Sequence, residues 1–190
     1  MMTETGSPPR STNAEEDRAP YRWLGPVDRA ELAAFRRCWA AEPGSVPDVW
    51  GYYRHLSPDG RVSGKLRAEH CAIALFGLHQ QSESVPMHWS GVRLGQALHR
   101  LRLDDKFSTD AVDRRVAQCA TADDVAEFAQ HLRGLISQLK SLSTPQGFDY
   151  VRLVEDLIRW QSPDGRPRVR RQLGADYFHF DKTPDASRKD

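Results

Sequence analysis

Apolar residues in this chain recur every three or four positions and almost nowhere every second one, which predicts helices and argues against strands. Residues 122–142 carry the clearest pattern. Val125, Phe128, Ala129, Leu132, Leu135, Ile136, Leu139 and Leu142 form one stripe, and Arg133, Ser137 and Lys140 are expected on the opposite face. Upstream, Asp28 with Glu31 spells a capping box that opens a helix running to about Ala41, with Leu32, Phe35, Cys38 and Trp39 turned inward. Pro43, Gly44 and Pro47 break it. A short aromatic helix is expected over Val49–Leu56, and Lys65–Gln80 is apolar on nearly all sides, as suits the centre of a bundle.

Past a loop holding Pro86, His88 and Trp89, stripes predict helices at Val92–Leu103, Thr109–Ala120, 122–142, Tyr150–Gln161 and about 167–180. The expected fold is an all-α helical bundle of about eight helices, either one body or two small lobes sharing a core. Residues 1–22 are expected as a disordered N-terminal extension, because Ser, Thr, Pro and Glu dominate there. The body spans 23–180 and a flexible tail spans 181–190.

Composition narrows the class. The N-terminal stretch lacks an apolar h-region, and the longest nearly apolar run, Cys71–Leu78, is too short for a bilayer. Cys38, Cys71 and Cys119 show no CxxC spacing, so reduced, buried thiols in a cytoplasmic protein are expected. A formal net charge of +1 conceals blocks: 61–102 carries six Lys/Arg against two acids, 103–127 three against seven, and 166–175 four arginines against none. Distinct positive and negative surfaces follow.

Catalytic signatures do not occur. The chain has no GxxxxGK[ST] loop, no HExxH, no GxSxG and no zinc-deaminase pattern. The pairs Asp104-Asp105 and Asp123-Asp124 have the chemistry to hold Mg²⁺, but a turn and a helix first turn explain them better. No enzyme, cofactor or metal is expected. Helices that present cations and no chemistry suit a long anion, above all nucleic acid. Arg152, Glu155, Asp156 and Arg159 share a face and neutralise one another, whereas Arg166, Arg168, Arg170 and Arg171 share their stretch with no acid. Arg114 and Arg115 neighbour Asp110 and Asp113. Trp39 and Trp160 continue apolar stripes and read as core; Trp89 lies in a loop.

Five segments, in this order and spacing, carry a family resemblance. They are Gly91–Leu98, Ala111–Arg115, Leu132-Arg133 through Leu139-Lys140-Ser141, Leu153–Trp160 and Arg170–Phe178. With Phe35-Arg36-Arg37 and Tyr52-Tyr53-Arg54, the chain resembles the CasB small subunit of the type I-E CRISPR Cascade complex over about residues 28–180. The resemblance implies a non-catalytic helical subunit of an antiviral RNA-guided complex. Two copies would pair head to tail, touch the backbone and large subunits, and hold guide RNA and the displaced single-stranded DNA. It implies nucleic-acid contacts at Arg36, Arg37, Arg114, Arg115, Arg133 and Lys140. Arg168, Arg170 and Arg171 fall where the family's last helix is basic. Gln96 stands where the family usually has an arginine, a role passed to Arg93 or Arg100. The alternative reading is an assembly module whose basic faces meet acidic protein surfaces. A helix-turn-helix regulator finds no short helix pair to support it. Neither a membrane nor a small-molecule substrate is expected.

Overall fold

The structure is a computed structural model and describes residues 21–179. The expectations for residues 1–20 and 180–190 lie outside the described residues. Within 21–22, Tyr21 is buried in the core and Arg22 opens a 3-10 turn.

Asp28 starts helix α1 (Arg29–Arg37) as the sequence predicts: its carboxylate accepts the Glu31 N–H at 2.8 Å while Glu31 accepts the Asp28 N–H at 2.6 Å. The chain then tightens into a 3-10 turn, Cys38–Ala40. The aromatic helix expected at Val49–Leu56 is instead a 3-10 helix, Pro47–Tyr52. The reason lies in Glu69, a fully buried acid that accepts the backbone N–H groups of Arg54 at 2.9 Å and His55 at 3.0 Å. With those donors committed to a side chain, the helix cannot continue through them.

Helix α2 (Gly64–Gln80) is capped by Ser63 and buried on nearly every side. It is followed by α3 (Leu94–Leu103), α4 (Thr109–Thr121), α5 (Val125–Leu139), α6 (Tyr150–Trp160) and α7 (Gly165–His179). Asp124 caps α5 by accepting the Glu127 N–H at 2.8 Å, so Ala122 and Asp123 precede the helix. Asp149 caps α6 through Val151 and Arg152. Among the described residues there are seven α-helices and three 3-10 helices, and no strand beyond an isolated bridge between His88 and Phe148. No described helix is long and apolar enough to cross a membrane.

α2 is the axis, packed by α1, α5 and α6; α5 continues the core to α3 and α4, and α7 closes against α3, α4 and α6. One cluster of buried side chains runs from Tyr21 and Trp23 to Leu173 and Tyr177, the shared core that the sequence predicts. α1 crosses α2 closely at Gly77. A Cβ there would lie 2.7 Å from the Phe35 Cβ and 3.1 Å from the Arg36 N, so only glycine permits this crossing. The crossing sets where the end of α1, and with it Arg36, stands.

Candidate nucleic-acid interface

Three predicted cations lie along the seam where the end of α1 and the 3-10 turn after it meet α5. Arg133 and Lys140 follow each other by seven residues on α5 and its C-cap, about 10 Å along the axis. Arg36 projects from the last turn of α1 and lies close enough for its charge to act on Lys140. The Arg133 guanidinium sits over the Trp39 ring at 4.6 Å from its centre, with Arg133 itself exposed and Trp39 half-buried. Lys140 is not opposite the apolar stripe, as the pattern alone implies, because it follows buried Ile136 by four residues and therefore borders the stripe. From there its ammonium donates to the carbonyl oxygens of His79 at 3.2 Å and Gln81, and faces Glu83 at 3.9 Å. Desolvation lowers the Lys140 pKa and Arg36 lowers it further, against the pull of Glu83. Arg37 turns to an exposed ion pair with Asp48, worth little in water.

On α4, Arg114 and Arg115 are both exposed. Neither has an ion pair among the described residues, because neighbouring Asp113 accepts from Arg102 at 3.0 Å and from the Tyr177 hydroxyl at 2.6 Å. Their partial neutralisation by the adjacent acids therefore does not take place through Asp113.

The basic block of α7 divides. Arg170 turns inward, donating to the Ala122 carbonyl at 3.2 Å with its guanidinium 5.4 Å from the Trp160 ring centre; Arg166 donates to the Trp160 carbonyl at 3.2 Å. Arg168 and Arg171 are exposed. Arg168 and Arg93 belong to a cleft of about 260 Å³ between α3, α6 and α7, whose floor is Phe128, Leu153, Val169 and Leu173. Arg93 pairs there with Asp176 at 3.5 Å, and Arg159 with Glu155 and Asp156, each at 3.2 Å. Burial raises the Asp156 pKa, opposed by Arg159. The rim thus carries both signs. Arg100 is exposed and engaged in an interaction of its own. Gln96 accepts the Arg93 N–H at 2.8 Å and so caps α3.

Two features of this surface escape the sequence pattern. Trp39 reads as core by periodicity, yet its ring serves as a seat for Arg133, and no one-dimensional signal links positions so far apart. Arg152 belongs by spacing to a lattice with the α6 acids, yet it pairs at 3.6 Å with Asp149, the cap of its own helix. The acidic pairs behave as helix and turn residues: Asp104 accepts the Lys106 N–H at 2.9 Å, and Asp124 caps α5. Among the described residues no group of three or more His, Cys, Asp and Glu is placed to hold a metal.

Comparison with known proteins gives one consistent neighbourhood. The family model of CRISPR-associated protein Cse2 matches residues 31–178. A CRISPR-associated protein Cse2 of Thermus thermophilus is 28% identical over 142 residues, covering 74% of this chain and 75% of the relative. CasB from Thermobifida fusca superposes with a TM-score of 0.61 at 27% identity, over 78% of this chain and 84% of that one. The solved structure of a Cse2-family protein from Thermus thermophilus gives 0.61 at 26% identity, over 82% and 93%.

Proposed function

The chain belongs to the CRISPR-associated Cse2 family, and on that premise we propose that it is a non-catalytic small subunit of an RNA-guided Cascade surveillance complex. In that role it grips nucleic-acid backbone through basic helix faces and holds the displaced DNA strand. Exchange of DNA pairing for guide pairing is nearly balanced, so a few contacts that hinder re-annealing shift it. The observation that carries this reading is Arg133, exposed and without an ion pair among the described residues, held over Trp39 just past Arg36 at the end of α1. Arg114 and Arg115 on α4 add a second exposed cationic pair. Guanidinium groups fork onto phosphate oxygens whatever the base sequence, so the binding is sequence-independent. Head-to-tail pairing with a second copy, and contacts to the backbone and large subunits, complete the proposed role; the helical body is one domain, with the segments before and after it outside the grip.

A second reading has its own support. The cleft between α3, α6 and α7 has an apolar floor and a rim of arginines interleaved with Glu155, Asp156 and Asp176. Mixed charge around apolar surface suits a protein partner better than a polyanion. The α1/α5 seam and the cleft therefore divide the work, phosphate on one and assembly on the other.

The test is a titration of random single-stranded DNA, duplex DNA and RNA at two salt concentrations, with Arg36→Glu and Arg133→Glu beside the parent. Salt-sensitive binding without sequence preference is expected, with each reversal reducing the salt slope by about 0.7 on a single strand. Affinity that is flat in salt, or unmoved by both reversals, overturns the reading. Charge reversal at Arg114 and Arg115 tests what α4 meets: loss of nucleic-acid binding with intact assembly favours phosphate contact there, and loss of assembly alone favours a protein interface.

A further inference from the structure

We propose that Trp39 is a stacking platform for one unpaired nucleobase and that Arg133 covers it until a strand arrives. The inference deepens the backbone-binding reading and rests on it.

Of the five tryptophans, two are closed off inside the core. Trp23 and Trp160 are fully buried. Trp89 is half-buried against Gly147 and donates its indole N–H to the Pro86 carbonyl at 2.8 Å. Trp50, in the 3-10 helix, is 53% exposed and donates its indole N–H to the Gly44 carbonyl at 2.7 Å, an edge contact away from the α5 cations. Trp39 alone among them lies beneath a cation of the proposed interface. It packs on the core, and the Arg133 guanidinium lies 4.6 Å from its ring centre. Because Arg133 is exposed, the ring face under it is the face turned toward solvent.

Two physical consequences follow. First, the cover is light. Arg133 has no ion pair among the described residues, so lifting it off the indole gives up one exposed cation–π contact, a factor of about 2 to 5 in equilibrium. A phosphate that accepts the freed guanidinium compensates for that loss. Second, the platform has cations around it. Arg36 stands three residues before Trp39 in the chain, and Lys140 lies within electrostatic reach of Arg36. A strand whose phosphates meet these cations passes its bases across the seam, where one can replace Arg133 on the ring.

A duplex keeps its bases stacked inside and can offer only phosphates, whereas a displaced strand offers both. The site therefore discriminates the opened state from the closed one without reading sequence, since every base has a stacking face.

The experiment is a fluorescence-anisotropy titration of the full chain with a labelled oligothymidylate and with an abasic strand of the same length, for the parent, Trp39→Phe and Trp39→Ala. The two strands carry equal phosphates, so their difference isolates the base. The parent should bind oligothymidylate about 5- to 30-fold tighter than the abasic strand. Trp39→Ala should abolish that ratio even if freeing Arg133 shifts abasic binding, with a cooperative thermal melt showing that the variant is folded; Trp39→Phe should keep part of it. If the parent binds both strands equally, or Trp39→Ala keeps the ratio, the platform is wrong and the backbone reading stands. If the abasic strand is not bound at low salt, or its binding ignores salt, the backbone reading fails and the platform fails with it.

Discussion

Gly77→Ala tests the geometry that brings Arg36 to the seam. In an open helix this change is favourable, by about 1 kcal/mol, because alanine is the better helix former. At Gly77 the new methyl would lie 2.7 Å from the Phe35 Cβ, 3.1 Å from the Arg36 N and 3.3 Å from the Leu32 carbonyl oxygen. Those atoms belong to or adjoin the α1 backbone, so no rotamer change relieves the contact. The helix itself must move away by several tenths of an ångström or more. Phe35 is fully buried and packs edge-on against Tyr52 with ring centres 4.9 Å apart, so the displacement disturbs a packed layer. Overpacking of this kind costs about 1–3 kcal/mol, and because the blocking atoms are backbone or adjoin it the cost falls in the upper part of that range, leaving a net loss of up to about 2 kcal/mol after the propensity gain. Urea unfolding should show a lower midpoint with an unchanged slope, and Arg36-dependent nucleic-acid binding should weaken with it. A variant as stable as the parent, with full binding, would refute the claim that this crossing positions α1.

Gly134→Ala is the contrasting case: a Cβ there meets nothing within 4 Å, so the variant should gain roughly 0.5–1 kcal/mol in urea unfolding. His79, buried beside Tyr150 at 3.0 Å, has its pKa pushed down to about 4 by desolvation and, less, by Lys140. Its unfolded-state value is higher, so the unfolded chain binds the extra proton first; stability is fully present above about pH 6.5 and falls as pH drops toward 4, by about 3 kcal/mol in all. His79→Gln should flatten the urea midpoint against pH between 4 and 6.5, and an unchanged slope would assign the acid sensitivity elsewhere. Lys140→Met keeps the aliphatic stem but removes the donor to the carbonyls at the end of α2, and should cost about 1 kcal/mol in thermal unfolding. No loss would mean that the ammonium is free for phosphate in the unbound protein.

Most of the fold is legible because its signals are local. The Asp28–Glu31 box and the stripes on α5 and α6 all act within a few residues, and the observed helices begin and end near them. The Pro47–Tyr52 segment is the exception, since its termination is imposed by Glu69 from another helix. The candidate site is legible by residue type but not by availability. Charge alone groups Lys140, Arg93 and Arg170 with Arg133 and Arg168, yet the first three meet carbonyls, Asp176 and Ala122 within the protein. What separates the groups is the distance of each side chain from an uncapped helix end or a desolvated acid, a tertiary property. Periodicity also places Trp39 in the core; it cannot tell a ring buried on both faces from a ring buried on one.

Those internal commitments have a consequence for how the protein binds. With 27 Lys and Arg against 26 Asp and Glu, and with Arg37, Arg93, Arg102 and Arg159 each facing an acid, the chain's overall field attracts a polyanion only weakly. The isolated chain should therefore hold nucleic acid weakly, and the salt slope counts its contacts directly. Weakness is useful here. A subunit that bound every strand tightly would be titrated by cellular nucleic acid before it reached a target. A sparse cationic seam becomes effective when an assembly fixes the strand beside it, because the second contact then forms at high effective concentration. A base platform adds selectivity to that arrangement without adding charge, so preference for an opened strand need not come at the cost of indiscriminate binding to duplex.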